Sequence, residues 1–142
     1  MKTQLILPAF VYVAYVWILA FVNFRARLNA IKSRQLSPKY FKARTGADAV
    51  PERVAVIGRH YDNQFELPTL FFSAIAAHLA LGAFTQATVF FAWGFVTLRW
   101  VHSFVHLGYN NVAHRAGVFA LGWLFIIALW GQLLYLSAVI QS

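Results

Sequence analysis

Cysteine is absent from this chain, and acidic side chains are nearly so, with four among 142 residues. Without a thiol the protein has no disulfide, no cysteine nucleophile and no thiolate-ligated metal. Any thiol chemistry therefore needs a thiol that a ligand brings. Charge of either sign is scarce, at 11% of residues, where a soluble domain carries roughly 25%. Such a chain cannot cover itself with polar surface, and 61% of it is hydrophobic. An ordinary soluble domain is excluded, and an integral membrane protein of a few helices is expected. Internal repeats, low-complexity segments and a phosphate-cradling glycine pattern are also missing.

The charge that is present is mostly positive, for a formal balance of +8. Its placement argues against a nucleic-acid groove. Nine of the twelve basic residues (Arg25, Arg27, Lys32, Arg34, Lys39, Lys42, Arg44, Arg53 and Arg59) lie in one interval between two apolar runs. That is a topology signal, and it attracts anionic lipid headgroups.

The first apolar run, Leu5 to Phe24, is long enough to cross the hydrocarbon core. A secretory signal has a shorter apolar core and a small-residue cleavage site. Here Arg25 and Arg27 follow directly, as at the end of a stop-transfer anchor. Residues 29–51 form the only extended polar stretch, broken by Pro38, Gly46 and Pro51, and read as a basic loop lying against headgroups. A second helix is expected to begin near Pro51-Glu52, since proline and an acidic residue suit a helix's first turn. Arg59, Asn63 and Glu66 stand at i, i+4, i+7 on one of its faces. Pro68 then removes a backbone hydrogen bond and favours a kink. A short uncharged link over 82–87 leads to a third helix, and the fourth carries no charge after Arg115. The expected helices are 4–28, 52–81, 88–108 and 115–139, in one domain over 1–142.

The third helix holds the densest polar cluster. Arg99, His102 and His106 are spaced i, i+3, i+7 and so share one stripe. Ionisable groups at membrane depth are costly, so the stripe should face a bundle interior or a polar cavity. Glu66, on the second helix, is the expected ion-pair partner of Arg99. Four crossings put the basic 25–59 interval and the 109–115 turn on the same side, which the loop charges make cytoplasmic. In a bacterium that membrane is the inner one, and both termini are periplasmic. Arg59, Asn63, Glu66, Arg99, His102, His106 and Arg115 would then meet near one face, as a site between bundle helices requires. His78, toward the other end of its helix, reads as an inter-helix hydrogen bonder. Trp17, Trp93, Trp123 and Trp130 read as interface anchors or core.

Two patterns resemble the MAPEG family, the membrane-associated proteins in eicosanoid and glutathione metabolism. One is Glu52-Arg53 followed by Arg59-x3-Asn63-x2-Glu66 and Pro68. The other, similar to the microsomal glutathione transferase branch, is Arg99, His102, His106, then Arg115, Phe119 and Gly122. The resemblance implies an all-α, four-transmembrane-helix bundle assembled as a homotrimer, with sites between subunits. It also implies glutathione as co-substrate at the cytoplasmic side and a hydrophobic electrophile or lipid hydroperoxide arriving from the bilayer. By the family pattern Arg59, Asn63 and Glu66 hold the tripeptide, and Arg115 stabilises its thiolate. The residue types suit that role, because glutathione's two carboxylates need cations and its ammonium needs an acid. A guanidinium also favours a thiolate over a thiol.

The chain departs from the family at His106, where tyrosine is usual, and the helix 1 arginine could be Arg25, Arg27 or Arg34. The expected catalytic residues are Arg115 and His106, with Arg99 and His102 joining the binding set. Membrane lipids and further copies of the chain are the expected partners, and no metal and no nucleic acid are expected. A non-catalytic binding or assembly protein of the same family is the alternative. A b-type haem protein is disfavoured, because intramembrane haem takes histidines from facing helices and His78 lies at the wrong depth.

Overall fold

The computed structural model describes residues 2–40 and 50–141; the segment of the basic loop that holds Lys42, Arg44 and Gly46 lies outside the described residues. Those described residues are helical almost throughout. Helix α1 runs Lys2–Lys32, α2 Glu52–Asp62, α3 Leu67–Leu81, α4 Gln86–Leu107 and α5 Val112–Gln141. Among the described residues three segments are long and apolar enough to cross a membrane: Lys2–Lys32, Glu52–Leu81 and Val112–Ile140. Helix α4 is not among them, and it is the helix that carries Arg99, His102 and His106.

Each helix buries one stripe. On α1 the buried positions are Leu5, Pro8, Tyr12, Leu19, Asn23 and Ala30, a single line at helical spacing. The opposite side exposes Phe10, Trp17, Ile18 and Phe24, as suits a helix whose outer face meets lipid. The core lies where α1, α3 and α4 meet. There Phe71 stacks on Phe95 with ring centroids 4.7 Å apart, and Tyr12 packs 6.0 Å from each. A smaller cluster of Ala30, Leu36 and Val54 joins the far end of α1 to α2.

The expected kink near Pro68 is a full break. After Asp62 the chain makes a 3-10 turn over Asn63–Phe65 and passes through Glu66 at φ −93°, ψ −98°, before α3 begins with Pro68 in its first turn. Proline is tolerated there because first-turn N–H groups have no helical partner anyway. At its other end α3 stops on Gly82, whose φ of 64° is left-handed. The Ala83 amide then bonds back to the His78 carbonyl at 3.0 Å, a Schellman closure that favours glycine. His78 is fully buried there, its Nδ1 at the Ala83 carbonyl and its Nε2 3.1 Å from the Leu129 carbonyl of α5. It is an inter-helix hydrogen bonder, as expected.

Helices α4 and α5 are joined by a four-residue turn, 108–111. Asn110 takes the left-handed conformation (φ 48°), and its amide bonds to the Val105 carbonyl at 2.8 Å. Asparagine tolerates that region better than most residues. Further along, the two helices approach closely at Gly94, where a Cβ would sit 2.1–2.7 Å from ring atoms of Phe125. Gly94→Leu should lower the detergent thermal midpoint, since overpacking typically costs about 1–3 kcal/mol. Adding Phe125→Ala should recover part of the loss. An unchanged midpoint for Gly94→Leu would show that this contact does not set the α4–α5 spacing.

Candidate active site

The polar stripe of α4 is buried, with Arg99, His102 and His106 each 2% exposed. Arg99 is satisfied by the broken segment between α2 and α3. Its Nη2 donates to the Asn63 carbonyl at 3.1 Å and to Gln64 Oε1 at 3.1 Å. The break makes this possible, because a continuous helix would commit the Asn63 carbonyl to its own ladder. Gln64 Oε1 also accepts from the Tyr12 hydroxyl at 2.6 Å, and Gln64 Nε2 donates to the His60 carbonyl at 2.7 Å. Two donors on one oxygen fix the orientation of the amide. Nε and Nη1 of Arg99 have no partner among the described residues.

The expected Glu66–Arg99 ion pair does not form. No ion pair joins them among the described residues; Glu66 is exposed, and Arg99 takes Gln64 and the Asn63 carbonyl instead. The physical reason is the 3-10 turn, which sends the helix face that carries Glu66 toward the outside.

Beside Arg99 lies a second network that sequence reasoning missed. His60, 1% exposed, sets its Nδ1 3.0 Å from Nδ1 of His106. Its Nε2 lies 2.6 Å from Ser103 Oγ and 3.1 Å from the Tyr15 hydroxyl, which itself contacts Ser103. Ser103 Oγ donates onward to the Arg99 carbonyl at 3.1 Å. The ring of His60 stacks on His102 (centroids 5.5 Å) and meets His106 edge-on (5.0 Å). A signal for His60 and Gln64 was present in the sequence. Val54, Ile57, His60, Gln64 and Leu67 are all buried and continue one helical stripe, one position round from the polar stripe of Arg59, Asn63 and Glu66.

Outside these networks opens a cavity of about 740 Å³. It is lined by Arg59, Asp62, Asn63 and Glu66 from the α2–α3 segment, His102 and His106 from α4, Asn110 from the turn, and Val112, Arg115, Ala116 and Phe119 from α5. Every expected site residue except Arg99 is on this wall. Arg115 is held by the turn, its Nη1 donating to Asn110 Oδ1 at 3.2 Å. Nε2 of His106 and Nδ1 of His102 are buried without partners among the described residues. Among the candidate helix 1 arginines, Arg27 comes nearest, sharing a smaller adjoining cavity with Arg59 and Asp62. Arg25 lines a separate cavity with Asn29 and Arg53.

The sequence model of the MAPEG family matches residues 5–135, nearly the whole helical bundle. The chain belongs to the MAPEG family. No curated protein and no solved structure matches it at a significant level. In this MAPEG chain the cavity joins cations (Arg59, Arg115) with carboxylates (Asp62, Glu66) beside buried imidazoles. It can therefore take a zwitterionic ligand that carries both carboxylate and ammonium groups.

The two networks predict different stabilities for neighbouring substitutions. Gln64→Leu removes one of the two acceptors of a buried guanidinium and should cost about 1.5–3 kcal/mol, read as a clear drop in detergent thermal stability. Glu66→Gln should leave that stability nearly unchanged. The reverse order would mean that Glu66, and not Gln64, carries Arg99.

Proposed function

We propose that this MAPEG protein is a membrane-bound glutathione-dependent transferase or peroxidase. The observation that carries the reading is the mixed charge on one cavity wall, with Arg115 fixed by Asn110 at the start of α5. Arg59 and Arg115 suit the two carboxylates of glutathione, and Glu66 or Asp62 suits its ammonium. The cysteine-free chain brings no thiol, so the nucleophile is the ligand's own sulfur. Arg115 at a helix N-terminus adds the positive end of the helix dipole to its guanidinium, and both favour the thiolate. Nε2 of His106, on the cavity wall and without a partner among the described residues, orients the sulfur where the family usually has a phenol. The thiolate then attacks an electrophilic carbon and a carbon–sulfur bond forms as the leaving group departs with its electron pair. With a hydroperoxide it attacks the terminal oxygen, and an S–O bond forms as the O–O bond breaks. The alkoxide leaves and takes a proton, and a second glutathione thiol converts the sulfenic acid to disulfide and water. The apolar acceptor enters from the bilayer past Phe119 and Val112.

In this reading α4 is the fourth crossing, the 25–59 interval faces the cytoplasm of a bacterial inner membrane, and three copies enclose the sites. Trimerisation is supported by the lipid-like outer faces of α1 and α5 and by the buried donors of Arg99 that have no partner among the described residues of one protomer. Native mass spectrometry in mild detergent should show a trimer. A ligand-binding monomer would exclude shared sites.

Calorimetry should detect glutathione binding. The ultraviolet absorbance of bound thiolate should titrate with a midpoint at least about one pH unit higher in Arg115→Ala than in wild type, equivalent to roughly 1.4 kcal/mol. His106→Phe should shift it less. If glutathione binds and neither substitution moves the midpoint, the sulfur is elsewhere and a non-catalytic binding role replaces the enzymatic one.

A further inference from the structure

Three of the five histidines in the chain converge at one buried point. His102 and His106 stand one turn apart on α4, and His60 faces them from α2. One nitrogen from each of the three rings lies within 4.8 Å of the others, and all three residues are buried. Ring centroids are 5.0, 5.5 and 5.6 Å apart. Imidazoles bound to one zinc at about 2.0–2.1 Å place their nitrogens roughly 3.3 Å apart in tetrahedral geometry. The 3.0 Å separation between the Nδ1 atoms of His60 and His106 is already close to that edge. The same contact excludes a haem, since no macrocycle fits between rings that touch.

Two further observations point to a ligand. Nδ1 of His102 is a buried polar atom without a partner among the described residues, which a purely structural histidine cluster would satisfy. His60 also has the outer support that metal-bound histidines use: with Nδ1 turned to the ion, its Nε2–H donates to Ser103 Oγ, 2.6 Å away. Arg99 and Arg115 oppose a cation here, and Asp62 and Glu66 on the cavity wall offset them. No metal was expected from the sequence; His60 brings a third imidazole to the cluster from a second helix.

We propose that His60, His102 and His106 form a binding site for a divalent transition metal of the zinc class. Three neutral nitrogens leave a fourth coordination position, and because His102 and His106 line the large cavity, that position opens into it. A water or an anionic ligand fills it there. Histidine-only ligation without cysteine or carboxylate suits zinc, copper and nickel rather than calcium or magnesium.

The test uses the full-length protein in detergent, freed of any affinity tag, stripped with chelator and kept without glutathione, so its outcome is independent of the transferase reading. Titration with Co²⁺ should give visible d–d absorption that saturates at one ion per protomer and is displaced by Zn²⁺. X-ray absorption of the Zn²⁺ form should show three imidazole ligands. His60→Gln and His102→Ala should each weaken binding at least about 100-fold, the upper end of what losing only a supporting residue costs; His114→Ala, an exposed histidine on α5, should not. Binding that survives His60→Gln undiminished, or fewer than three imidazoles on wild-type zinc, would overturn the site. The wild-type spectrum decides the matter even if the histidine variants fail to fold.

Discussion

A buried guanidinium whose acceptors among the described residues are all neutral is the constraint on which the rest of this bundle depends. Arg99 sits inside a helical protein whose outer faces are apolar, and its hydrogen bonds go to an amide oxygen and a backbone carbonyl. Neutral acceptors stabilise a buried cation less than a counter-ion would, so both must be placed accurately. Gln64 is fixed by Tyr12 from α1 and by the His60 carbonyl. One charge thereby ties together α1, the α2–α3 segment and α4.

The break between α2 and α3 serves that charge and the cavity together. Opening the helix frees a carbonyl for Arg99 on the inner side. On the outer side it turns Asn63 and Glu66 toward the space that His102, His106 and Arg115 close. Pro68 makes the break tolerable by starting the next helix where its missing N–H does no harm. The left-handed Asn110 does a related job at the far wall, ending α4 and fixing Arg115 with the same side chain.

Much of this was legible in the sequence. Apolar runs and basic flanks located the helices, although α1 extends to Lys32, beyond the expected end at 28. Spacing put Arg59, Asn63 and Glu66 on one helix face and Arg99, His102 and His106 on another, because helical periodicity is local. The order of crossings brought both faces and Arg115 to one end of the bundle. The Glu66–Arg99 pair was misjudged because charge complementarity was reckoned on an unbroken helix. The 3-10 turn changes which residues face inward, and a proline signals that a break exists without giving its direction. His60 and Gln64 were overlooked because they sit among charged neighbours. Their inward face is evident only when Val54, Ile57 and Leu67 are read with them as one buried stripe. Tyr15 and Ser103 could not be found locally at all, since their contacts cross between α1, α2 and α4.

The contact between the two Nδ1 atoms of His60 and His106 makes the cavity wall adaptable. With both rings neutral and no ion between them, a single hydrogen occupies that 3.0 Å gap. If His60 owns it, His106 carries its single hydrogen on Nε2 and offers the cavity a donor, while the Tyr15 hydroxyl donates to His60 Nε2. If His106 owns it, its Nε2 is a bare lone pair, and His60 donates to Ser103 instead. The polarity of a group on the wall is thus chosen by a histidine that does not line the cavity. The exchange moves hydrogens alone, so a ligand could meet either a donor or an acceptor at the same atom without displacing a helix.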